Sequence, residues 1–431
     1  MLEHLLELLF SLPGRVNGNF KQTFKSLSDR NFRVYNLGMF LSNVGTWMQG
    51  VALSWLVYRL TGSAAALGLI SFASNIPLLL LTFVGGMAAD RFDKRRILFI
   101  TQTLAMLQAI VLTVLVAIGL ATIPILIGMA LFLGVVTAFD VPARQSLVPL
   151  LVKEQNDMSN AIGLSSATFH VSRMIGPAIG GLLIASFGET ICFGLNAVSF
   201  IAALIGLSRI SLSRSESANR ANGASGKVQK AESIGQTLRR PGVFTLLFLA
   251  AFVSTFGMQY SVLMPVIVDK LLHGHSAQFG LLSAAAGMGA LIGALAIAAT
   301  GSRPGLRLRI GVATVVLAGA LCVLALSPWT VLSVVSIVTC GICLSTHWSG
   351  GNTLMQKCVA PSARGRLMGV YTTFTLGLAP LTALVSGWTA EHLGISTALL
   401  ISASGMLVGG LLYLWRVRKM SDECPAPGAL E

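Results

Sequence analysis

The stretch GGMAADRFDKRRIL, residues 85–98, places six charged side chains in seven consecutive positions. The rest of the chain has the opposite character, because 54% of its 431 residues are hydrophobic and only 11% are charged. Its mean hydropathy of +0.78 lies far outside the range of soluble domains. The charged stretch therefore marks a polar junction between apolar segments that belong in a lipid bilayer.

About 20 mostly apolar residues are needed to cross the hydrocarbon core of a membrane, and the sequence offers twelve such windows. We predict membrane-spanning helices at 34–59, 64–89, 97–118, 122–149, 159–186, 190–209, 242–268, 276–299, 308–326, 330–356, 366–389 and 395–416. The predicted fold class is an all-α integral membrane protein, with twelve transmembrane helices in two six-helix bundles related by pseudo-two-fold symmetry.

A net charge of +14 could indicate a nucleic-acid-binding protein, so the positions of the basic residues have to decide. All but three of the 30 lysines and arginines fall on one side of the predicted topology, the exceptions being Arg59, Arg173 and Lys270. This distribution follows the positive-inside rule. We therefore predict a multi-pass protein of a bacterial inner membrane with both termini cytoplasmic and no nucleic-acid partner.

A polar stretch rich in Ser, Ala, Asn and Gly divides the spans six and six, and we interpret it as a cytoplasmic linker. The predicted domains are a cytoplasmic N-terminal segment at 1–33, a first bundle at 34–209, the linker at 210–241, a second bundle at 242–416 and a cytoplasmic tail at 417–431.

The two halves show a weak internal repeat. A shift of 207 positions aligns residues 134–163 with residues 341–370 and brings Gly134 onto Gly341 and Asp140 onto His347. Identities are few, but each half places a polar fourth span before a short loop, as in a duplicated transporter.

The predicted topology and the charged stretch together resemble the major facilitator superfamily of transporters. Members of that superfamily carry a pattern of the form G-x-x-x-D-R-x-G-R-K/R-R between spans two and three. Here the pattern falls on Gly86, Asp90, Arg91 and the bases at 94–96, with Asp93 where a glycine is commoner. The resemblance covers roughly residues 30–418 and implies a carrier that opens a central cavity to one side of the membrane at a time.

Two further stretches, FDVPARQSLVPLLV at 139–152 and PSARGRLMGVYT at 361–372, are similar to one branch of the superfamily. That branch contains siderophore exporters similar to the enterobactin exporter, macrolide-efflux pumps and lysophospholipid transporters. The resemblance implies a proton-coupled antiporter that exports a small amphipathic molecule, such as a siderophore or a drug in multidrug resistance. The alternative is a lysophospholipid flippase or an uptake symporter. We expect a monomer without a cofactor, whose partners are the substrate, protons and the lipid bilayer.

The charged loop is predicted to form a cytoplasmic gate. In the resembling family its aspartate pairs with an arginine low on span four and with the start of span eleven, which implies Asp90 and Arg144 here. An ion pair made in only one arrangement of the halves would be strong yet releasable. The alternative, favoured for Lys94 and Arg95, is that the bases bind anionic lipid headgroups. The predicted gate residues are Gly86, Asp90, Arg91, Arg95, Arg96, Arg144, Arg364 and Arg366.

Asp140 is the only acid well inside a predicted span. Proton-driven carriers need a buried carboxylate that can bind and release a proton, so Asp140 is predicted to couple transport to protons. An equally supported interpretation is a structural ion pair with Arg144, one helical turn away beyond Pro142. His170 either titrates in the same cavity or hydrogen-bonds to a neighbouring helix.

Arg173 lies near the centre of span five, where a lone arginine usually faces an aqueous cavity and could bind an anionic substrate group. The alternative is a pair with carbonyl oxygens or amide side chains. Polar and aromatic residues of spans one, seven and ten would together complete a substrate cavity, although each alone is better explained by helix packing. The predicted cavity residues are Asn43, Trp47, Gln49, Arg173, Gln259, Tyr260, His347 and Asn352.

The stretch RMIGPAIGG, residues 173–181, is predicted to pack closely against other helices. Gly176, Gly180 and Gly181 would let a neighbouring helix approach, and Pro177 would supply a bend. Antiporters of the resembling superfamily carry a similar pattern on span five, which favours export.

The sequence gives no sign of enzyme chemistry. It contains no GxSxG, HExxH or Walker A motif, and the predicted loops are too short for a catalytic domain. Cys340 and Cys343 form a CxxC pair, but a zinc site would need a second pair. We predict a protein that is not an enzyme and has no metal site.

Overall fold

The structure, a computed structural model, describes residues 25–152, 157–210, 241–300, 305–357 and 364–419. Every regular element within these ranges is a helix. Most of the predicted N-terminal segment (1–24), most of the predicted linker (211–240) and the tail from residue 420 lie outside the described residues.

Six long helices follow one another in the first half of the chain. They are α1 (Arg30–Thr61), α2 (Ala64–Arg91), α3 (Lys94–Ala117), α4 (Ile123–Leu147), α5 (Met158–Phe187) and α6 (Glu189–Ser208). Gly62 ends α1 with a φ of 62°, a left-handed conformation that glycine adopts at little cost. The side chains of Ser63 and Asp93 accept hydrogen bonds from backbone N–H groups at the starts of α2 and α3. Asp93, the residue that departs from the superfamily pattern, is therefore a helix cap.

The second half is less regular at its beginning. Its helices are α7 (Pro241–Phe252), α8 (Ser276–Thr300), α9 (Leu306–Leu326), α10 (Thr330–Lys357), α11 (Arg364–Leu376), α12 (Ala379–Leu393) and α13 (Ile395–Arg418). After α7 the backbone continues through π-helical turns at Val253–Gly257 and Ile267–Leu271. Turns of this kind widen a helix locally and often occur at functional sites.

Eleven helices in the described part of the chain are long and apolar enough to cross a membrane. One of them, Val370–Leu393, runs through α11 and α12. The remaining predicted span is α1, which has 32 residues and is more polar. Large apolar side chains such as Phe83 (76% exposed) and Val331 (77% exposed) cover the outside of the helices, as lipid contact requires. The all-α membrane fold predicted from hydropathy is confirmed.

The chain begins its described part with a short 3₁₀ turn, Lys25–Ser28, that is attached to the start of α5. The buried Ser26 hydroxyl donates to Asn160 Oδ1 at 2.7 Å, and Lys25 forms an ion pair with Asp157 at 2.9 Å. These contacts order the chain just before α1, which begins four residues ahead of the predicted span.

The chain divides into two compact units. The first unit contains Asn17–Gly226 and the short segment His273–Ala284, and the second contains Lys227–Leu272 and Ala285–Glu431. The segment that opens α8 therefore belongs to the first unit, although the rest of α8 belongs to the second.

In the first unit, two glycines bring α2 and α4 into backbone contact. A Cβ atom on Gly85 would collide with the carbonyl oxygen of Ala138, and one on Gly134 would collide with the carbonyl oxygen of Ser74. Pro142 has no N–H group, so the carbonyl of Ala138 lacks its usual helical donor. The close approach of Gly85 therefore uses a carbonyl that the proline leaves open.

The second unit repeats this packing between α8 and α10. A Cβ atom on Gly341 would collide with the carbonyl oxygen of Ala286, and one on Gly293 with that of Ile342. The helices α4 and α10 begin at residues 123 and 330, which are 207 positions apart, as the weak repeat in the sequence predicts.

Candidate functional site

The centre of the first unit holds a buried carboxylate with three hydrogen-bond donors. Asp140 of α4 is only 5% exposed. Its Oδ2 atom pairs with Arg144 Nη2 at 2.5 Å, and its Oδ1 atom accepts from Thr101 Oγ1 at 2.9 Å and from Gln102 Nε2 at 2.8 Å. The i, i+4 ion pair, one of two interpretations of the sequence, is thus present.

Arg144 also reaches α1. Its Nη1 atom donates to Asn43 Oδ1 at 2.8 Å, so the guanidinium group bridges α1 and α4. Its Nε atom and the buried Tyr35 hydroxyl have no hydrogen-bond partner among the described residues. Asn43, predicted to bind substrate, accepts a hydrogen bond from the ion-paired arginine in this structure.

A second cluster, the Trp47 cluster (Trp47, Phe169, His170 and Arg173), joins α1 and α5. The guanidinium carbon of Arg173 lies 5.2 Å from the centroid of the Trp47 ring, within cation–π range. Phe169 packs edge-on against Trp47 with ring centroids 5.7 Å apart. His170 lies beside Phe169, and its Nδ1 atom is buried without a hydrogen-bond partner in the described part of the chain. Two predicted cavity residues, Trp47 and Arg173, are therefore in contact.

Gln49 lies elsewhere, in a buried amide network. Its Nε2 atom donates to Gln108 Oε1 at 3.0 Å, and its Oε1 atom accepts from Asn196 Nδ2 at 2.8 Å. All three residues are at most 3% exposed. This network joins α1, α3 and α6, and the sequence signal that could have revealed it is the presence of amide side chains in three apolar helices.

In the second unit, Gln259 likewise holds helices together. Its Nε2 atom donates to Thr382 Oγ1 at 2.6 Å, and its Oε1 atom accepts from Ser386 Oγ at 2.7 Å. Both partners belong to α12. The neighbouring Tyr260 is only 1% exposed.

The two predicted cavity residues of α10 differ in their surroundings. His347 is 1% exposed, and neither of its ring nitrogens has a hydrogen-bond partner within the described ranges. Asn352 is exposed and accepts from Gln356 one turn later.

A small surface pocket lies in the second unit between α7, α9, α10 and α13. Its polar wall is formed by Thr245, Arg307 and Tyr413. None of the predicted cavity residues lines it.

The charged stretch around the α2–α3 loop caps α6 as well as α3 in this structure. Arg95 donates to the backbone oxygens of Leu207 and Ser208, at 2.6 and 2.7 Å, and so caps the end of α6. Asp90 is exposed and makes no ion pair with a side chain of the described residues. Arg144, the partner implied by the resemblance, is occupied by Asp140 one turn earlier on its own helix.

The other predicted gate residues lie at helix ends. Gly86 faces open space, and Arg91 and Arg96 are exposed. Arg364 and Arg366 open α11, but their side chains are outside what the structure describes.

The glycines of α5 lie at close helix contacts. Cβ atoms on Gly176 and Gly180 would press against α1 at Trp47 and Met48, and one on Gly181 would collide with Gly280 of the first unit. Pro177 is buried inside α5.

No group of three or more His, Cys, Asp or Glu side chains among the described residues is arranged to hold a metal ion.

The comparisons with known proteins agree with a membrane carrier. A family model described as a transmembrane secretion effector matches residues 21–428. The chain is 25% identical over 397 residues to the multidrug efflux pump Tap of Mycolicibacterium fortuitum, covering 88% of this chain and 94% of that one. It is 26% identical over 402 residues to the enterobactin exporter EntS of Citrobacter koseri, covering 92% and 94%.

A third relative is matched over a shorter stretch. The chain is 29% identical over 263 residues to the Staphyloferrin A transporter of Staphylococcus aureus, covering 60% of this chain and 64% of that transporter, less than two thirds of its length. Among solved structures, a POT family transporter in complex with 5-aminolevulinic acid matches with a TM-score of 0.73 at 12% identity, covering 91% of this chain and 96% of that one. At that identity the likeness shows the fold alone.

Proposed function

Because the chain belongs to the transmembrane secretion effector family of the major facilitator superfamily, we propose that it exports a siderophore or a drug by proton antiport. It is a multi-pass membrane transporter and not an enzyme. The export direction is supported by two relatives that match over nearly their full length, one a multidrug efflux pump and the other an enterobactin exporter.

The observation that carries proton coupling is the buried ion pair of Asp140 and Arg144. An antiporter needs a group that holds either a proton or another partner, so that the two loads exclude each other. Asp140 has this property, because protonation at Oδ2 would neutralise the carboxylate charge that holds Arg144. Release of Arg144 would shift α1 through Asn43 and so link the proton to the helix that carries Trp47.

The substrate is expected to contact the Trp47 cluster. Arg173 supplies a positive charge and Trp47 a large apolar face, a combination that suits an amphipathic molecule with an acidic or aromatic group. His170 borders the cluster. The same proposal includes the further cavity residues of the second unit, the gate residues of the charged loop and the predicted domain boundaries. It also includes a monomeric state and a location in a bacterial inner membrane with both termini cytoplasmic.

The proposal can be tested in proteoliposomes with an imposed pH gradient, using enterobactin and the drug-like dye ethidium as probes. An antiporter accumulates a probe in vesicles with an acidic interior, whereas a symporter does so when the exterior is acidic. We expect accumulation with the acidic interior for the wild type. Asp140→Asn should reduce it to the level of protein-free vesicles, because asparagine keeps the size of the side chain but cannot take up a proton.

The matched control is Asp93→Asn, which removes an exposed acid at the start of α3 and keeps a residue able to cap that helix. This variant should transport like the wild type. Gradient-driven accumulation that survives Asp140→Asn would remove the coupling role of Asp140. Accumulation driven only by an acidic exterior would instead identify an uptake symporter.

A further inference from the structure

His347 is a buried histidine whose ring has no hydrogen-bond partner in the described part of the second unit. It lies on α10, is 1% exposed and leaves both Nδ1 and Nε2 unpaired. A neutral imidazole carries one N–H donor and one acceptor, and burying both without partners is unfavourable. Such a group in a native fold calls for a functional explanation.

The hydroxyl group of Tyr371 lies against the face of α10 that also carries His347. Tyr371 belongs to α11 and is 4% exposed, and its hydroxyl oxygen also has no hydrogen-bond partner among the described residues. A Cβ atom on Gly351 would collide with this oxygen. Gly351 is one helical turn after His347 on the same face, so the two unpaired polar groups belong to adjoining turns of α10.

The internal repeat relates these positions to the ion pair of the first unit. The shift of 207 residues that relates α4 to α10 brings Asp140 onto His347 and Arg144 onto Gly351. In the first unit an arginine pairs with the buried acid. In the second unit the arginine is replaced by glycine, and the hydroxyl of Tyr371 occupies the space beside it. A titratable residue is thus present at the same place in both repeats, with different neighbours.

The helices packed against His347 carry few other titratable groups. The segments α7 and residues 285–300 of α8 contain none, and no acid occurs on α9, α10 or α11. The titratable or charged residues on the helices around it are Arg307, Arg309 and Cys322 of α9, Cys340, Cys343 and Lys357 of α10, and Arg364, Arg366 and Tyr371 of α11. Cys343 lies one turn before His347, and the basic residues lie at the helix ends.

We propose that His347 is a proton-binding residue of the second unit and that the Tyr371 hydroxyl accepts a hydrogen bond from its protonated ring, directly or through one water. An uncharged ring needs no counter-ion, so His347 can remain buried although no acid occurs on α9, α10 or α11. The protonated ring gains a second N–H donor, and the hydroxyl of Tyr371 is the unpaired acceptor on the same face. In an exporter this proton would be a second coupling proton, so the transport meaning of the site rests on the proposed function.

Proton binding can be measured on the protein alone. Purified protein in weakly buffered detergent solution is taken from about pH 8 to about pH 3.5, because buried imidazole groups bind protons at lower pH than exposed ones, and proton uptake is counted with an indicator dye. We expect His347→Gln to take up about one proton fewer than the wild type. The exposed His392, which lies within hydrogen-bond distance of the Trp388 carbonyl and stacks on the Trp388 ring, provides His392→Gln as the reference for loss of an ordinary histidine.

Tyr371→Phe tests the partner, because it keeps the ring and removes the acceptor. We expect it to reduce proton uptake while His347 is still present. Equal uptake by the wild type and His347→Gln would overturn the proposal, and unchanged uptake by Tyr371→Phe would overturn the part assigned to Tyr371. If His347→Gln fails to elute as a folded protein, ¹⁵N-histidine NMR of wild type and Tyr371→Phe reports protonation of the rings directly.

Failure of this inference is distinguishable from failure of the proposed function. The dye measurement needs neither substrate nor gradient, so it can succeed in a carrier that is driven by another ion. Conversely, gradient-driven export abolished by Asp140→Asn, together with unchanged proton uptake by His347→Gln, would leave the proposed function standing and remove the second proton site.

Discussion

Replacing Gly85 by alanine is expected to weaken the contact between α2 and α4, whereas the same change at the adjacent Gly86 is expected to leave that contact intact. A Cβ atom on Gly85 would fall on the carbonyl oxygen of Ala138 and against the backbone of Phe139. Backbone atoms cannot rotate away, so the two helices must separate. A Cβ atom on Gly86 meets nothing within 4 Å.

The magnitude follows from two opposing effects. Forcing an extra carbon atom into a packed contact costs about 1–3 kcal/mol. Alanine in place of glycine favours the helix by about 1 kcal/mol, and this gain is the same at both positions. The difference between the two variants therefore isolates the collision at Gly85, at about 1–3 kcal/mol.

The assay is the temperature at which half of the detergent-solubilised protein still elutes as a single species. For a unit of about 200 residues, the expected gap corresponds to about 2–12 °C, with Gly85→Ala the less stable variant. The superfamily pattern places its glycine at Gly86, whereas the close helix contact lies at Gly85. The comparison therefore shows which of the two glycines the helix packing requires. Equal transition temperatures would refute the close approach of α2 and α4 at the Ala138 carbonyl.

Two further predictions concern the ends of the first unit. Arg95→Ala should lower stability by about 1–2 kcal/mol because α6 loses two hydrogen bonds from a charged donor, while Arg96→Ala should have little effect in the same thermal assay. The pair of Arg59 and Glu189 joins α1 to α6 at 2.7 Å, but the Arg59 side chain is 54% exposed, so a double-mutant cycle should give a coupling of only about 0.5–1 kcal/mol that falls with added salt. A coupling that is zero, or that salt does not change, would contradict this reading of the pair.

The positions of the membrane-spanning helices could be predicted from the sequence, because the bilayer restricts what can cross it. A segment that crosses hydrocarbon must be apolar over about 20 residues and must satisfy its backbone internally, so hydropathy alone locates the helices. The predicted spans therefore match the observed helices to within a few residues at most ends, as at α4 and α10. The π-helical turns that follow α7 leave no such signature in the hydropathy.

The candidate site could be predicted from the sequence only in part, because helix periodicity gives the face of a residue but not its neighbours. The 3.6-residue period shows that Asp140 and Arg144 share a face, and the ion pair between them follows from their spacing. The period does not show which neighbouring helix meets that face. The donors Thr101 and Gln102 come from α3, and only the presence of two polar residues in an apolar helix hinted at them.

Gln49 is a residue for which helix periodicity alone did not show the neighbouring helices. It is close in sequence to Asn43 and Trp47, which made a role in the substrate cavity reasonable, but its position around the axis of α1 directs it towards α3 and α6. The amide network that it forms satisfies polar groups inside the unit. A polar residue in a span therefore indicates a polar environment, but it does not distinguish a cavity from a hydrogen-bonded helix contact.

The comparison of α4 with α10 suggests why a duplicated carrier would keep unlike residues at equivalent positions. Asp140 with Arg144 is neutral overall, and so is an uncharged His347 beside Gly351, so both arrangements avoid an isolated charge in the membrane. Adding one proton to either site changes its charge by the same amount. On the coupling proposed for Asp140, the added proton would free Arg144, which bridges to Asn43 of α1. On the inference drawn for His347, the added charge would stay on the ring and take the Tyr371 hydroxyl of α11 as its acceptor. One proton gradient would then act on α1 in the first unit and on α11 in the second.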